Sequence, residues 1–339
     1  MPAEWEPHEA TWLAWPHNRS DWPGRFAPIP WVYGEIVRKL SSVERVRILV
    51  RDRALEQQAF RVLRKAGAHM EAVEFIEAPT NRVWTRDYGP LFIKNPSGQL
   101  ALTWWRFNAW AKYRDFQWDA CVPNVIARTL NLPVRRLDMV LEGGSVDVNG
   151  AGLLLTTEEC LLSPVQARNP GMSRAQIELM LNEGLRVKRV IWLQNGIAGD
   201  DTHGHVDDIA RFVAADRVVA AWENDPSDAN HRPLRENWRI LRAEGLHVVK
   251  LPMPRPLVFA GQRLPASYAN FYIANRLVLV PTFNDPNDRV ALSKLARLFP
   301  GREVVGIHSA ELIWGLGALH CMTQQQPVAG ITAAPPRGE

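Results

Sequence analysis

The sequence predicts a fold of the α/β or α+β class, and three observations lead there. Many short runs rich in Val, Ile, Leu or Trp are bounded by Gly, Pro, Asn or Asp, as strands are. Single stretches with apolar residues at helical spacing separate small groups of these runs. Two pairs of runs, 209–213 with 217–221 and 271–274 with 277–281, are close enough in sequence to be β-hairpins. Hairpins interleaved with helices argue against a doubly wound parallel sheet, in which every crossover needs a helix.

In chain order, the first helix falls at 31–40, where Val32, Ile36, Val37 and Leu40 recur at helical spacing, and the first strand at 46–50. A helix at 54–65, built on Leu55, Ala59, Val62 and Leu63, leads to a strand at 72–76. Strands follow at 91–94, 100–107 and 152–155. Ser173 caps a helix over 173–183 that carries Ile177, Leu179, Met180 and Leu181, and a strand at 188–193 comes next. Each of the two hairpins is followed by a helix and a strand, at 233–244 and 247–251, then at 288–299 and 303–307. The hairpin–helix unit recurs about every 60 residues, longer than the usual repeat periods, and no low-complexity linker interrupts it. One catalytic domain over residues 1–339 is therefore expected, with the last ten or so residues a flexible tail.

Composition narrows the function classes. With 46% hydrophobic and 22% charged residues, the 339-residue chain is globular rather than disordered. No apolar stretch approaches the ~18 residues of a membrane span. Acidic Glu4 and Glu6 stand where a secretory leader needs basic residues, so a cytoplasmic protein is expected. Cys121, Cys160 and Cys321 are too few and too scattered for a disulfide framework or a paired-cysteine metal knuckle. The net charge is +4, but the 40 Lys and Arg are spread along the chain without a basic stripe, so no nucleic-acid partner is expected.

The densest polar segment is Gly199-Asp200-Asp201-Thr202-His203-Gly204-His205-Val206-Asp207-Asp208, running straight into an apolar stretch. Carboxylates and imidazoles so placed are costly to desolvate unless paired or bound. Three readings stand side by side. The segment is a solvated acidic loop; or His203, His205 and Asp207, alternating on one strand face, hold a metal; or His205 is a general base and Asp207 holds a cationic substrate. Near the C-terminus, Gly315-Leu316-Gly317-Ala318-Leu319-His320-Cys321-Met322-Thr323-Gln324-Gln325 places Cys321 between an apolar stretch and a polar one. A thiolate there needs a positive neighbour, and His320 or His205 can supply it; the alternative is a structural Cys. Asp87 lies in Trp84-Thr85-Arg86-Asp87-Tyr88-Gly89-Pro90, and Glu142 at the double-Gly turn of Leu141-Glu142-Gly143-Gly144-Ser145. Each reads equally well as a turn or surface residue when taken singly.

Together these segments resemble the agmatine deiminase family, close relatives of the bacterial-type peptidylarginine deiminases in the guanidine-modifying, or pentein, superfamily. The resemblance runs nearly end to end. It includes Met1-Pro2-Ala3-Glu4-Trp5-Glu6-Pro7-His8, the Trp84 to Pro90 stretch, Phe107-Asn108-Ala109-Trp110, Glu142-Gly143-Gly144-Ser145, Gly204-His205-Val206-Asp207, Tyr268-Ala269-Asn270-Phe271 and His320-Cys321-Met322-Thr323-Gln324-Gln325. It implies a five-bladed, pseudo-symmetric α/β propeller built from ββαβ units around a central site. It also implies hydrolysis of a guanidinium to a ureido group, agmatine giving N-carbamoylputrescine and ammonia. Cys321 falls on the family's nucleophile and His205 on its general acid/base. Asp87 and Asp207 fall on the carboxylates that clamp the guanidinium, and Glu142 on the carboxylate near the imidazole. Two carboxylates suit this substrate because a planar guanidinium offers paired donors. Trp84 would lie against the substrate's stem or cationic face, a contact worth roughly 0.5–2 kcal/mol, or serve the core. Asn270 is a further polar contact. No metal or cofactor is required, and the partners expected are a small guanidine and, by default, a second copy of the chain.

Two positions depart from the family pattern. Leu316 replaces the middle of three glycines before the His-Cys pair, and His203 stands where Asp or Asn is usual. Both bear on the substrate's tail rather than on the guanidinium. Competing readings are a deiminase of free or peptidyl arginine, a metal-dependent hydrolase using His203, His205 and Asp207, and a non-catalytic binder.

Overall fold

The structure, a computed structural model, describes residues 1–330. The expected tail at 331–339 lies outside the described residues. Strands β1 (His8–Ala14), β2 (Arg45–Val50) and β3 (Val73–Glu77) run parallel, joined by helices α1 (Ile29–Leu40) and α2 (Arg53–Ala66). Short helix α3 (Thr85–Tyr88) leads into β4 (Leu91–Lys94), which pairs antiparallel with β5 (Leu100–Arg106). Helix α4 (Val122–Leu130) then returns the chain so that β6 (Val134–Val140) lies parallel to β5.

That unit repeats. Strand β7 (Asp147–Val148) is antiparallel to β8 (Leu153–Thr157), and α5 (Glu158–Leu162) with α6 (Arg174–Leu185) brings β9 (Arg189–Leu193) parallel to β8. Next, β10 (Ala210–Ala214) and β11 (Arg217–Trp222) form a hairpin, and α7 (His231–Ala243) carries the chain to β12 (His247–Pro252), parallel to β11. A small ribbon of β13 (Val258–Phe259) and β14 (Gln262–Arg263) precedes the last unit. There β15 (Tyr272–Ile273) pairs antiparallel with β16 (Leu277–Thr282), and α8 (Pro286–Leu298) sets β17 (Glu303–His308) parallel to β16. Strand β18 (Gln324–Pro327) finally runs antiparallel to β1, giving the first sheet the same antiparallel-then-parallel order as the other four.

The local signals explain these elements. The Asp52 carboxylate accepts the Leu55 amide at 2.8 Å to start α2, and Gly67, at φ 79°, ends it in the left-handed conformation. Ser173 and Gln176 form a capping box on α6, and Asp285 with Asp288 another on α8, where Pro286 takes the first turn. The apolar faces of α1 and α2 bury Ile36, Leu40, Leu55, Ala59 and Leu63 in one cluster with Val46 and Ile48 of β2. Trp12, Trp15 and Trp22 are fully buried in that core.

Six strands and three helices escape a sequence reading, among them the two-residue β13 and β14 and the short α3 and α5. Strand β1 mixes polar residues into a buried run, β6 presents Arg135, Arg136 and Asp138 to solvent, β7 has two residues, and β18 is all polar apart from Pro327 yet buried. The polar stretch after Cys321 is a buried strand in which two of the three glutamine side chains are hydrogen-bonded. Gln326 accepts the Trp12 indole N–H at 3.0 Å, and Gln325 accepts Arg86 at 2.7 Å. Helix α4 is short and was not marked by strong periodicity. No helix among the described residues is long and apolar enough to cross a membrane.

Tight packing between units gives a test of this arrangement. Gly184 of α6 lies against β5 and β6, where an added Cβ would stand 2.3 Å from Trp105 Cζ2 and 2.6 Å from Leu137 Cδ1. Gly184→Ala is expected to lower stability by about 1–3 kcal/mol through overpacking, read as a lower urea midpoint. An unchanged midpoint would contradict this contact.

Candidate active site

The chain enters each of the five larger sheets through an irregular connection, and each connection delivers one or two polar residues to a shared centre. Asp87 precedes β4, Glu142 precedes β7, His205 and Asp207 precede β10, Asn270 precedes β15 and Cys321 precedes β18. Backbone as well as side chain must come close there. A Cβ at Gly144 would sit 2.7 Å from His205 Nδ1, 2.8 Å from Asp87 Oδ1 and 3.0 Å from Asp207 Oδ2, so only glycine fits. Ala109, Trp110 and Ala111 all have positive φ, near 50–58°, a conformation L-residues avoid. Asn108 steadies this turn by accepting the Ala111 amide at 2.9 Å, and the turn aims the Trp110 indole N–H at Asp87 Oδ2, 2.9 Å away.

Cys321 Sγ lies 3.1 Å from Asn270 Nδ2 and 3.8 Å from Asp207 Oδ2. The Asn270 side-chain oxygen accepts the backbone amides of His320 (3.0 Å) and Cys321 (3.4 Å), which fixes the turn that carries Cys321. Asp87 Oδ1 accepts the Gly144 amide at 3.0 Å and lies 3.7 Å from His205 Nδ1. His205 Nε2 lies 3.5 Å from Glu142 Oε2, and Arg168 donates its Nε–H to Glu142 Oε1 at 3.0 Å. Behind Asp207, His320 bridges its Oδ2 (2.7 Å) to Glu4 Oε2 (2.8 Å), and Glu4 is held in turn by Arg211 at 2.9 Å and Arg86 at 3.3 Å. Asp87, Cys321 and Trp84 line a cavity of about 460 Å³, together with Trp110 and Leu316. Trp84 also packs on Trp22, with ring centroids 5.7 Å apart, so it serves both core and cavity.

Burial dominates the electrostatics. It pushes the Asp87 carboxyl up to about 6, against the pull of the His205 charge and with the help of Asp207 and Glu142. Burial would raise Glu142 as well, but the charges of Arg168 and His205 bring it down to about 2. Asp207 is likewise pushed up by burial and brought below its ordinary range by its hydrogen bond to His320. For His205, burial works downward but the surrounding Asp87, Cys160 and Glu142 lift it well above the usual imidazole value. The Cys321 thiol is raised well above its ordinary value by burial and by the charges of Asp207, Asp208 and Asp87. At rest the centre therefore pairs a protonated imidazole with a protonated thiol among buried carboxylates.

The structure brings together all seven residues singled out from the sequence: Cys321, His205, Asp87, Asp207, Glu142, Trp84 and Asn270. It corrects the metal geometry. His203, at φ 62°, and Gly204, at φ 93°, make a left-handed turn, residues 206–208 a 3-10 turn, and β10 begins only at Ala210. The strand that would align His203, His205 and Asp207 does not form, because the Asp200 carboxylate accepts the backbone amides of Thr202, Gly204 and His205 and curls the segment. His203 faces Ser163 at 3.1 Å and Glu159 at 3.8 Å. The metal-type donors that do converge among the described residues are Glu142, Cys160 and His205, all within 4.8 Å.

The model of the Porphyromonas-type peptidyl-arginine deiminase family matches residues 1–327. The chain belongs to this family. A relative from Latilactobacillus sakei is 38% identical over 360 residues, covering 96% of this chain and 95% of its own. Among solved structures, a cysteine-to-serine variant of the C. jejuni agmatine deiminase with substrate bound is 31% identical, with a TM-score of 0.90 over 97% of this chain and 96% of that one. The agmatine deiminase of Enterococcus faecalis is 32% identical, with a TM-score of 0.88 over 96% and 95%. The α/β fold of this chain is thus the fold of those enzymes.

Within the family frame, the Leu316 departure acquires a physical cost. Leu316 adopts φ 68°, ψ 16°, the left-handed region that glycine occupies freely, while its side chain lines the cavity. The sequence marks no role for Glu4, Trp110, Arg168, Arg211, Cys160 and Asp208. Glu4 and Trp110 lie inside family-like segments, which is the available signal. The others are ordinary residues whose partners are distant in the chain.

The Glu142–Arg168 pair yields a pH test. Glu142 sits near 2 in the folded chain, against an ordinary value of 4.5. Its stabilising contribution is full above pH 4.5 and disappears as pH falls toward 2. Relative to Glu142→Gln, the wild type should lose about 3 kcal/mol over that window in pH-dependent urea denaturation. Parallel pH profiles for the two proteins would refute the assignment.

Proposed function

We propose that this chain hydrolyses the guanidinium group of agmatine to a ureido group, giving N-carbamoylputrescine and ammonia through a covalent intermediate on Cys321. One observation carries the reading. The buried polar atoms left without a hydrogen-bond partner at this centre are Asp207 Oδ1 and both ring nitrogens of His205, within one shell of Cys321 and Asp87. The unpartnered Asp207 Oδ1, beside Asp87, suits a planar cation with several N–H donors, and the two free N–H groups of the His205 imidazolium leave a proton available for a leaving amine.

The chemistry follows from the charges. Asp87 and Asp207 take the guanidinium, which offsets the negative field that holds the Cys321 thiol protonated. The Cys321 thiol releases its proton to solvent through the cavity, and Sγ attacks the central carbon, forming a C–S bond; Sγ takes a proton back from solvent when that bond later breaks. His205 delivers a proton to one amino group, the C–N bond breaks, and ammonia leaves. Neutral His205 then takes a proton from water, whose oxygen attacks the S-alkylthiouronium carbon; the C–S bond breaks and the ureido product departs. Glu142, anchored by Arg168, supports the charged imidazole throughout. Trp84 and Trp110 supply apolar faces for the methylene stem.

The five repeated units make the blades of a five-bladed α/β propeller in one catalytic domain, a reading supported by the delivery of at least one site residue from each entering connection. The 460 Å³ cavity suits a small molecule better than a protein segment.

Turnover of agmatine, arginine and an arginine peptide at matched concentrations, followed as ureido product, separates the readings. Agmatine is expected to dominate. Cys321→Ala and Asp207→Ala should each abolish turnover while leaving the thermal transition in place, and activity in either variant would refute its role. On the acid side, kcat/KM should fall below about pH 6, where Asp87 takes up a proton and ceases to hold the guanidinium. A limb near pH 4 would show that burial does not raise Asp87.

A further inference from the structure

The cavity above Cys321 is lined by carboxylates that deimination does not use: Asp21, Asp115 and Asp201. Two of them are engaged. Asp115 accepts Arg82 Nη2–H at 2.9 Å through Oδ1, and its backbone carbonyl accepts Nη1–H at 2.7 Å. Asp201 pairs with Lys112 and accepts the Tyr113 hydroxyl at 2.7 Å. Asp21 differs. Its side chain is only 6% exposed, its Oδ1 lies 3.4 Å from Arg82 Nε, and its Oδ2 is buried without a hydrogen-bond partner.

The position suits the substrate's far end. Asp21 closes a short 3-10 turn and is followed by Trp22, whose ring packs on Trp84 and lies against Gly315 so closely that a Cβ there would approach its Nε1 to 2.6 Å. The wall carrying Asp21 is therefore continuous with Trp84 and with the Gly315–Gly317 segment that leads to Cys321. We propose that Asp21 Oδ2 accepts the tail ammonium of the substrate, making the enzyme selective for guanidines with a second positive charge at the far end of an aliphatic stem. A tail carboxylate is disfavoured on the same wall, because Asp21 and Asp115 flank an Arg82 whose donors are already committed. This inference rests on the deiminase reading and extends it to what the tail must carry.

The test compares agmatine with 1-butylguanidine, which keeps the guanidinium and stem but lacks the amine. A charge-assisted hydrogen bond in a buried site corresponds to roughly a 10- to 100-fold preference. The wild type should show that preference for agmatine in kcat/KM, mainly through KM. Asp21→Asn should erase it by weakening agmatine alone, with 1-butylguanidine kinetics unchanged. Equal losses on both substrates would assign Asp21 a purely structural role and overturn the proposal. Should Asp21→Asn fail to fold, the wild-type comparison decides, and equal use of the two guanidines overturns the proposal. Calorimetry with Cys321→Ser, which binds without turnover, separates the two levels of inference. Tighter binding of agmatine than of 1-butylguanidine supports the tail site even if the deimination reading fails, and equal binding overturns it.

Discussion

Buried negative charge is the constraint on which the rest of this structure depends. Asp87, Glu142, Asp207 and Asp208 are all withdrawn from water, and Glu4 lies directly behind them. Desolvating so many carboxylates costs several kcal/mol each unless charges or hydrogen bonds replace the solvent. The protein meets that demand with partners from every part of the chain. Arg168 answers Glu142; His320, Arg211 and Arg86 gather around Glu4; and Trp110 and the Gly144 amide hold Asp87. These ties cross between sheets, so the electrostatics of the site and the assembly of the units are one problem.

The compensation is deliberately incomplete at one place. Around Cys321, burial and the charges of Asp207, Asp208 and Asp87 together raise the thiol. In the proposed reaction a guanidinium entering between Asp87 and Asp207 supplies positive charge there and lowers the cost of forming the thiolate, so recognition and activation would share one cause. Asp87, Cys160 and Glu142 raise His205 against the effect of its burial, which suits the acid role proposed for it.

Particular segments show why parts of this were legible in the chain. Helices α2, α6 and α8 carry their own caps and apolar faces, and their neighbours β2, β9 and β17 are dense in branched apolar residues, so local chemistry alone marks them. Strand β18 has no such mark: its three glutamines look solvated in sequence, yet all are buried, with Trp12 and Arg47 donating to Gln326 and Arg86 to Gln325. The 199–208 segment misled in the opposite way. Its alternating His, His and Asp suggest a strand face, whereas the Asp200 carboxylate draws the backbone into turns and leaves His203 turned toward Ser163.

By itself, then, the sequence determined the class of fold, the hairpin–helix rhythm and which residues were candidates for the reactive groups, because caps, periodicity and short motifs are local properties. The tertiary structure decided which charges face one another. Glu4 and His320 meet across 316 positions, Asp207 and His320 across 113, and Asn270 and Cys321 across 51. A pKa depends on what lies a few ångströms away, and only the folded chain sets that distance.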